Sequence, residues 1–255
     1  MRKVVFDSAP ALNILYQDEY LVAIDKPSGL LVHRSEIDKR ETLFAMQLTR
    51  DLIGQHVYPV HRLDRPTSGV LVFALSSDVA RKMSELFAQG AINKTYLAVV
   101  RGTTPTQLDI DYALKEILDK KSDKLANTDK EPQSAQTSLK RIAQVELPFA
   151  SGRYPQTRYS LVELTPHTGR KHQLRRHMAH IRHPIIGDTN HGDGKQNKAA
   201  RLHLNLDRLA LMAKQISFTH PITNTPLVIT ASADPQMQAL FDLFAPGVNE
   251  LNRQD

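Results

Sequence analysis

The sequence predicts a single α+β domain built on a mixed, largely antiparallel central sheet flanked by helices and loops. Strand-like runs outnumber helical ones and mix with them irregularly, unlike the regular alternation of an α/β array. The run Val70–Leu75 has no polar face, as a central strand covered on both sides requires. Near the end of the chain, Ile216–Phe218 and Leu227–Thr230 form a closing hairpin across Pro221–Pro226.

The other elements follow in order. Ile14–Ile24 reads as two short strands around a turn at Gln17, Asp18 and Glu19. Lys26–Gly29 is a turn by composition, and Leu30–His33 resumes an extended run. A helix is predicted from Thr42, its cap, to Ile53, with Phe44, Leu48 and Leu52 repeating every four residues and Gly54 ending it. Ser76 and Ser77 cap a second helix whose stripe is Val79, Met83, Leu86 and Phe87, closed by Gly90. In the strand Lys94–Arg101, Tyr96 and Ala98 share one face.

Lys115–Gln136 is rich in both charges and has no aromatic residue, which predicts a solvated helix and loop inserted into the domain. Arg158–Leu164 alternates as a strand, and Pro166–Gly169 leads into a helix from about Arg170 to Ile181. Asp234 caps a last helix, about 235–245, with Pro235 in its first turn and Met237, Leu240, Phe241 and Phe244 inward. No repeat or linker interrupts residues 1–255, so one domain is expected throughout.

Composition narrows the function. The absence of cysteine excludes disulfides, thiolate nucleophiles and cysteine-based metal sites. No long apolar run or secretory leader is seen, so a cytoplasmic protein with no membrane association is expected. A net charge of +6 with 11 histidines suits an anionic partner, nucleic acid first.

Two stretches carry the chemistry. In Pro59–Gly69, Asp64 stands between Arg62 and Arg65, Pro66 keeps Arg65 out of the helical region, and Gly69 permits a sharp bend or a close approach. An acid in an extended loop with cations on either side stays ionised and draws in a polyanion; the plainer reading is a salt-bridged loop. From Pro166 to Gly187 there is no acidic residue. On a helical wheel Leu174, Met178 and Ile181 face one way with His177 beside them. Arg175 lies on the flank, near Lys171 and Arg182, while Arg176 and His172 point away. A flank arginine can reach a nearby carboxylate, and the outer cations are left for solvent or phosphate.

The string His61–Gly69 resembles the H-R-L-D-x-x-T-S-G loop of the RluA-type pseudouridine synthases, matching at His61, Arg62, Leu63, Asp64, Thr67, Ser68 and Gly69. Thr168–Arg175 resembles the family's T-G-R-x-H-Q-L-R, Lys94–Val100 its K-x-Y-x-A-x-V, and Lys26–His33 its first motif. The resemblance spans roughly 12 to 230. It is closest, over Ser151–Tyr159 and Gly169–His177, to the branch that acts on tRNA at position 65, and it shares with that branch the lack of a preceding S4-like module.

What the resemblance implies is specific. Asp64 is the catalytic aspartate, Arg175 pairs with it, and Tyr96 lies over the target base as acceptor of the C5 proton. Arg62, Arg65, Arg170, Lys171 and Arg176 are the expected RNA-binding residues, with Arg62 steadying the flipped nucleotide. The enzyme works on tRNA as a monomer, with no cofactor, nucleotide or metal. Met212 replaces a common histidine, and Asn224 a common turn glycine, which asparagine tolerates.

Other chemistries fit less well. His183–Asp188 with His191 and Asp193 has no metal-ligand spacing, Gly194-Lys195 is followed by Gln196 where a Walker A motif needs Ser or Thr, and no G-x-S-x-G elbow occurs. The alternatives kept open are a large-subunit rRNA uridine as substrate and a non-catalytic RNA-binding protein of the same fold. The trio Asp64, Tyr96 and Arg175 argues against the second.

Overall fold

The two-sided burial predicted for Val70–Leu75 governs the architecture. The structure, a computed structural model, describes residues 9–34, 41–116, 131–152 and 155–245. Its strands are β1 (Asn13–Gln17), β2 (Leu21–Lys26), β3 (Tyr58–Pro59), β4 (Ser68–Ala74), β5 (Asn93–Arg101), β6 (Gln107–Asp111), β7 (Gln136–Leu147), β8 (Thr157–Pro166), β9 (Leu211–Thr219) and β10 (Pro226–Thr230). The helices are α1 (Ala45–Ile53), α2 (Ser77–Ala88), α3 (Gln173–His180), α4 (Gly194–Leu204) and α5 (Pro235–Asp242). Among the described residues no helix is long and apolar enough to cross a membrane.

The strands form one sheet in the order β1-β2-β4-β9-β5-β8-β7-β6, with β10 beside β9 and β3 beside β4. Every pairing is antiparallel except β4 with β9. Every residue of β4 is buried. Val70, Val72 and Ala74 join the core that also holds Val79 and Met83 of α2, Leu174 and Met178 of α3, and Met237 and Leu240 of α5. Leu71 and Phe73 point the other way, into a smaller core with Ala45 of α1, Leu30 and Val57. A strand fed by two cores has no use for polar residues, hence its continuous apolar run.

The parallel β4–β9 contact is short and close, with Ser68 opposite Met212 and Gly69 opposite Ala213. Gly69 has φ +106°, and a Cβ there would lie 2.1 Å from the Ala213 carbonyl oxygen. Gly69→Ala should therefore destabilise the chain by about 2–5 kcal/mol, from backbone strain and overpacking together. Urea denaturation checks this, and an unchanged midpoint would mean that β4 and β9 are further apart.

Several expectations need correction. Leu30–His33 is not a strand: it makes one isolated bridge, Leu31 to Phe44. α1 begins at Ala45, not at Thr42, because the backbone of Ala45 and Met46 first bonds to Leu31 and Val32. Its inner face is Ala45 and Thr49, and Leu52 is exposed. Gly54 does end it, in the left-handed conformation. Helix α3 begins at Gln173 instead of Arg170. Strands β6 and β7 and helix α4 were not predicted. Ser76 and Asp234 cap α2 and α5 as expected. Of the charged insertion, residues 117–130 lie outside the described residues, as do 153 and 154 of the Ser151–Tyr159 stretch.

Candidate active site

Asp64 stands in a loop clasped from three sides. Thr67 N–H donates to the Asp64 carbonyl at 3.0 Å, closing a turn over Arg65 and Pro66. The turn after β2 grips the next residues: Gly29 N–H donates to Arg65 O at 2.8 Å and Ser28 Oγ to Pro66 O at 2.8 Å. Upstream, His61 Nε2 accepts from Val72 N–H at 3.0 Å. Burial first, and the Lys94 charge next, push His61 down to about 4, so it is neutral and free to accept. Downstream, Arg208 Nη2 donates to Ser68 Oγ at 2.6 Å.

Lys26 is completely buried beneath this loop. Its ammonium donates to the carbonyls of Pro27 at 2.9 Å, Leu30 at 2.7 Å and Arg65 at 3.1 Å. Burial, followed by the Arg208 charge, lowers its pKa to about 7, while Asp64 pulls it back. Lys26→Met orphans three carbonyls and should lose about 1–3 kcal/mol at pH 7. Between the folded pKa near 7 and the ordinary lysine value, the unfolded chain binds the extra proton. Wild-type stability should thus rise with pH relative to Lys26→Met. Urea titrations at pH 7 and pH 9 test the sign, and a narrowing gap would contradict it.

Asp64 meets its main partner across the cleft, in the third residue of α3. Arg175 Nη1 donates to Asp64 Oδ2 at 3.0 Å, while its Nε and Nη2 bind Asp188 at 2.7 and 2.8 Å. Burial alone would raise the Asp188 carboxyl; the Arg175 hydrogen bonds and charge overturn that and hold it below the usual range. The helix is aimed by Gln173, which is buried. Its Oε1 accepts from Thr168 Oγ1 at 2.7 Å and Arg170 N–H at 3.0 Å, and its Nε2 donates to Gln136 O and Thr137 Oγ1. These bonds occupy the turn up to residue 172 and explain the late helix start.

Tyr96 reaches the site through β9. Tyr96 of β5 and Gly69 of β4 both lie opposite Ala213, so the strand order brings the phenol to the Asp64 loop. Burial first, and the Asp64 charge second, raise its pKa well above the ordinary phenol value. These groups line a cleft of about 640 Å³. Among the described residues lining it Asp64 is the one acid, against Arg62, Lys94, Arg170, Lys171 and Arg175.

Thus Asp64, Tyr96, Arg175, Arg62, Arg170 and Lys171 share one cleft, while Arg65 and Arg176 do not line it. The expected bracketing of Asp64 by Arg62 and Arg65 is replaced: Arg65 Nε donates to Gly29 O at 2.9 Å and its Nη1 meets Glu41 at 3.1 Å. Arg176 donates to Lys115 O at 2.9 Å. His172, expected to point away, faces the cleft, with Nε2 3.8 Å from Asp64 Oδ2. It precedes α3 in the left-handed conformation, which breaks the helical phase assumed for it.

Sequence reasoning missed Lys26, Asp188 and Gln173. Each sits in a string that was singled out, but only the pairing across the fold gives it a task.

Comparisons with known proteins show the family of the chain. The RNA pseudouridylate synthase family model matches residues 20–180. The tRNA pseudouridine synthase C of Vibrio parahaemolyticus is 58% identical over 233 residues, covering 91% of this chain and 95% of that protein. That of Pasteurella multocida is 54% identical over 241 residues, covering 94% and 99%. The solved structure of human RNA Pseudouridylate Synthase Domain Containing 1 superposes with a TM-score of 0.70 at 23% identity, covering 94% of this chain and 91% of that one, and shares the fold. The chain belongs to the RNA pseudouridylate synthase family. It is a pseudouridine synthase, an isomerase that turns uridine in RNA into pseudouridine.

Proposed function

We propose that the chain isomerises the uridine at position 65 of tRNA, in the paired T-stem, with Asp64 as nucleophile. The observation that carries this reading is Asp64 itself, the one acid among the described residues lining a cationic cleft, held there by a buried arginine. The names of the relatives support tRNA as the substrate. The base must leave the helix before Asp64 can reach it, at a cost of a few kcal/mol. Phosphate contacts from Arg62, Arg170 and Lys171 at the cleft supply that energy, and Arg62, exposed there, steadies the flipped nucleotide. Arg65 and Arg176 act outside the cleft, one bracing the loop and one along the RNA. The cytoplasm, where tRNA is modified, is the expected location.

Asp64 attacks at ribose C1′ or uracil C6, the N1–C1′ bond breaks, the uracil turns, C5 joins C1′, and the bond to Asp64 breaks to return the free carboxylate. By either route, N1 gains a proton and C5 loses one. Tyr96 is the group we assign to that transfer. A phenol kept protonated beside a charged carboxylate is a poor base at rest. Once Asp64 is esterified or bonded to C6, its charge is gone and one cause of the raised phenol pKa goes with it. The covalent step thus precedes and prepares the proton step. Tritium release from tRNA transcribed with uridine tritiated at C5 tests the reaction. The chain should release about one tritium per target site, and release from large-subunit rRNA but not from tRNA would favour the alternative substrate.

A further inference from the structure

The loop after β8 and α3 closes a ring of contacts around Asp64 that the mechanism above does not use. Asp188 binds two of the nitrogens of Arg175 and also accepts the backbone N–H of His191 at 3.0 Å on Oδ1. The His191 ring then meets the His172 ring, Nε2 to Nδ1 at 3.0 Å, the planes at 75°. His172 Nε2 in turn faces Asp64 Oδ2 at 3.8 Å, the same oxygen that Arg175 holds at 3.0 Å. Both arms of the ring start from Asp188, and both end on one carboxylate oxygen.

The bond between two neutral imidazoles needs one donor and one acceptor. If His172 Nδ1–H donates, its Nε2 lone pair faces the Asp64 carboxylate, which is repulsive. If His191 Nε2–H donates, the His172 proton sits on Nε2 and points at the carboxylate. Electrostatics selects the second arrangement. Burial favours the neutral form of both rings, pushing His172 down to about 4 despite the pull of Asp64 and lowering His191 as well.

We propose that His191 is a positioning residue for the isomerisation: it donates to His172 Nδ1 and so fixes the tautomer whose Nε2–H orients the Asp64 carboxylate. Oδ2 is then held by Arg175 and addressed by His172, and Oδ1 is the oxygen presented to the nucleotide. The contact of 3.8 Å is longer than a hydrogen bond, as contacts that tighten only with substrate bound commonly are. This inference rests on the reading of Asp64 as nucleophile. The left-handed backbone of His172, at φ 55°, fits the same purpose: a strained conformation for a residue with a side chain, retained where it turns the ring into the cleft.

The test combines ¹⁵N NMR of the imidazole rings with single-turnover tritium release at saturating tRNA, on wild type, His191→Phe and His191→Gln. Glutamine keeps an amide N–H donor; phenylalanine keeps the ring and removes the donor. Wild-type His172 should carry its proton on Nε2. His191→Phe leaves only the Asp64 carboxylate, at 3.8 Å, to favour Nε2–H. The Nε2–H population should then fall and the single-turnover step slow by about 10- to 100-fold with unchanged tRNA affinity, whereas His191→Gln should stay within about threefold of wild type. A wild-type His172 protonated on Nδ1 would overturn the proposal whether or not the variants fold. Equal rates in the two variants, both normal or both low, would overturn it too. Asp64→Asn, run beside them, separates the two ideas: activity there defeats the nucleophile assignment, while an inactive Asp64→Asn with a normal His191→Phe defeats only the role of His191.

Discussion

Asp64→Ala should abolish turnover, lowering the single-turnover rate by a factor on the order of 10⁴ or more, because it removes the group proposed to form the covalent bond. Among the described residues lining the cleft no other carboxylate is present to substitute. Asp64→Asn, which keeps the shape and loses the charge, should fail equally. Affinity for tRNA should change little in both, since phosphate contacts with the cleft cations dominate it. Tritium release at saturating tRNA and a filter-binding titration separate the two quantities. An active Asp64→Ala would remove the covalent mechanism altogether.

The second large effect is expected at Arg175, and it has two parts. Arg175 is buried and pairs with two carboxylates at once, Asp64 and the more deeply buried Asp188. Arg175→Met leaves Asp188 charged, buried and without its ion partner, a loss of about 3–5 kcal/mol in stability. It also frees the rotamer of Asp64, which should slow the chemical step by about 10²-fold or more while tRNA still binds. Arg175→Lys should recover only part of either quantity, because an ammonium cannot hold both ends of Asp188 and reach Asp64 as the planar guanidinium does. Arg176→Met is the control: its guanidinium bonds to Lys115 O away from the cleft, so its single-turnover rate should stay near normal. Denaturant midpoints and single-turnover rates on all three variants check these outcomes. Identical behaviour at 175 and 176 would break the Arg175–Asp64 link.

The parts of this fold legible in the sequence are those in which local pattern and tertiary demand coincide. Strand β4 was readable because both its faces feed cores, and α2 and α5 because Ser76 and Asp234 cap them in the ordinary way. Helix α1 misled because Thr42 has the chemistry of a cap, while the Ala45 and Met46 backbone is taken by Leu31 and Val32. Strands β6 and β7 flank a charged stretch whose composition masks the alternation on either side. The Arg175–Asp64 pairing was legible through resemblance, and the flank position on the helical wheel allowed it. His172 was placed on the wrong side, since an ideal helix was drawn through a residue whose backbone is left-handed. Lys26 and Asp188 carry no local mark: a lysine before proline and an aspartate after glycine look like turn residues until the fold buries them.

The most direct test of the central claim is to incubate the purified chain with tRNA transcripts and map pseudouridine by carbodiimide modification and primer extension, with Asp64→Asn in parallel. The account predicts a new pseudouridine at position 65 of the T-stem with the wild-type chain and none with Asp64→Asn. No pseudouridine in tRNA with the wild-type chain, or the same pseudouridine with Asp64→Asn, would contradict it.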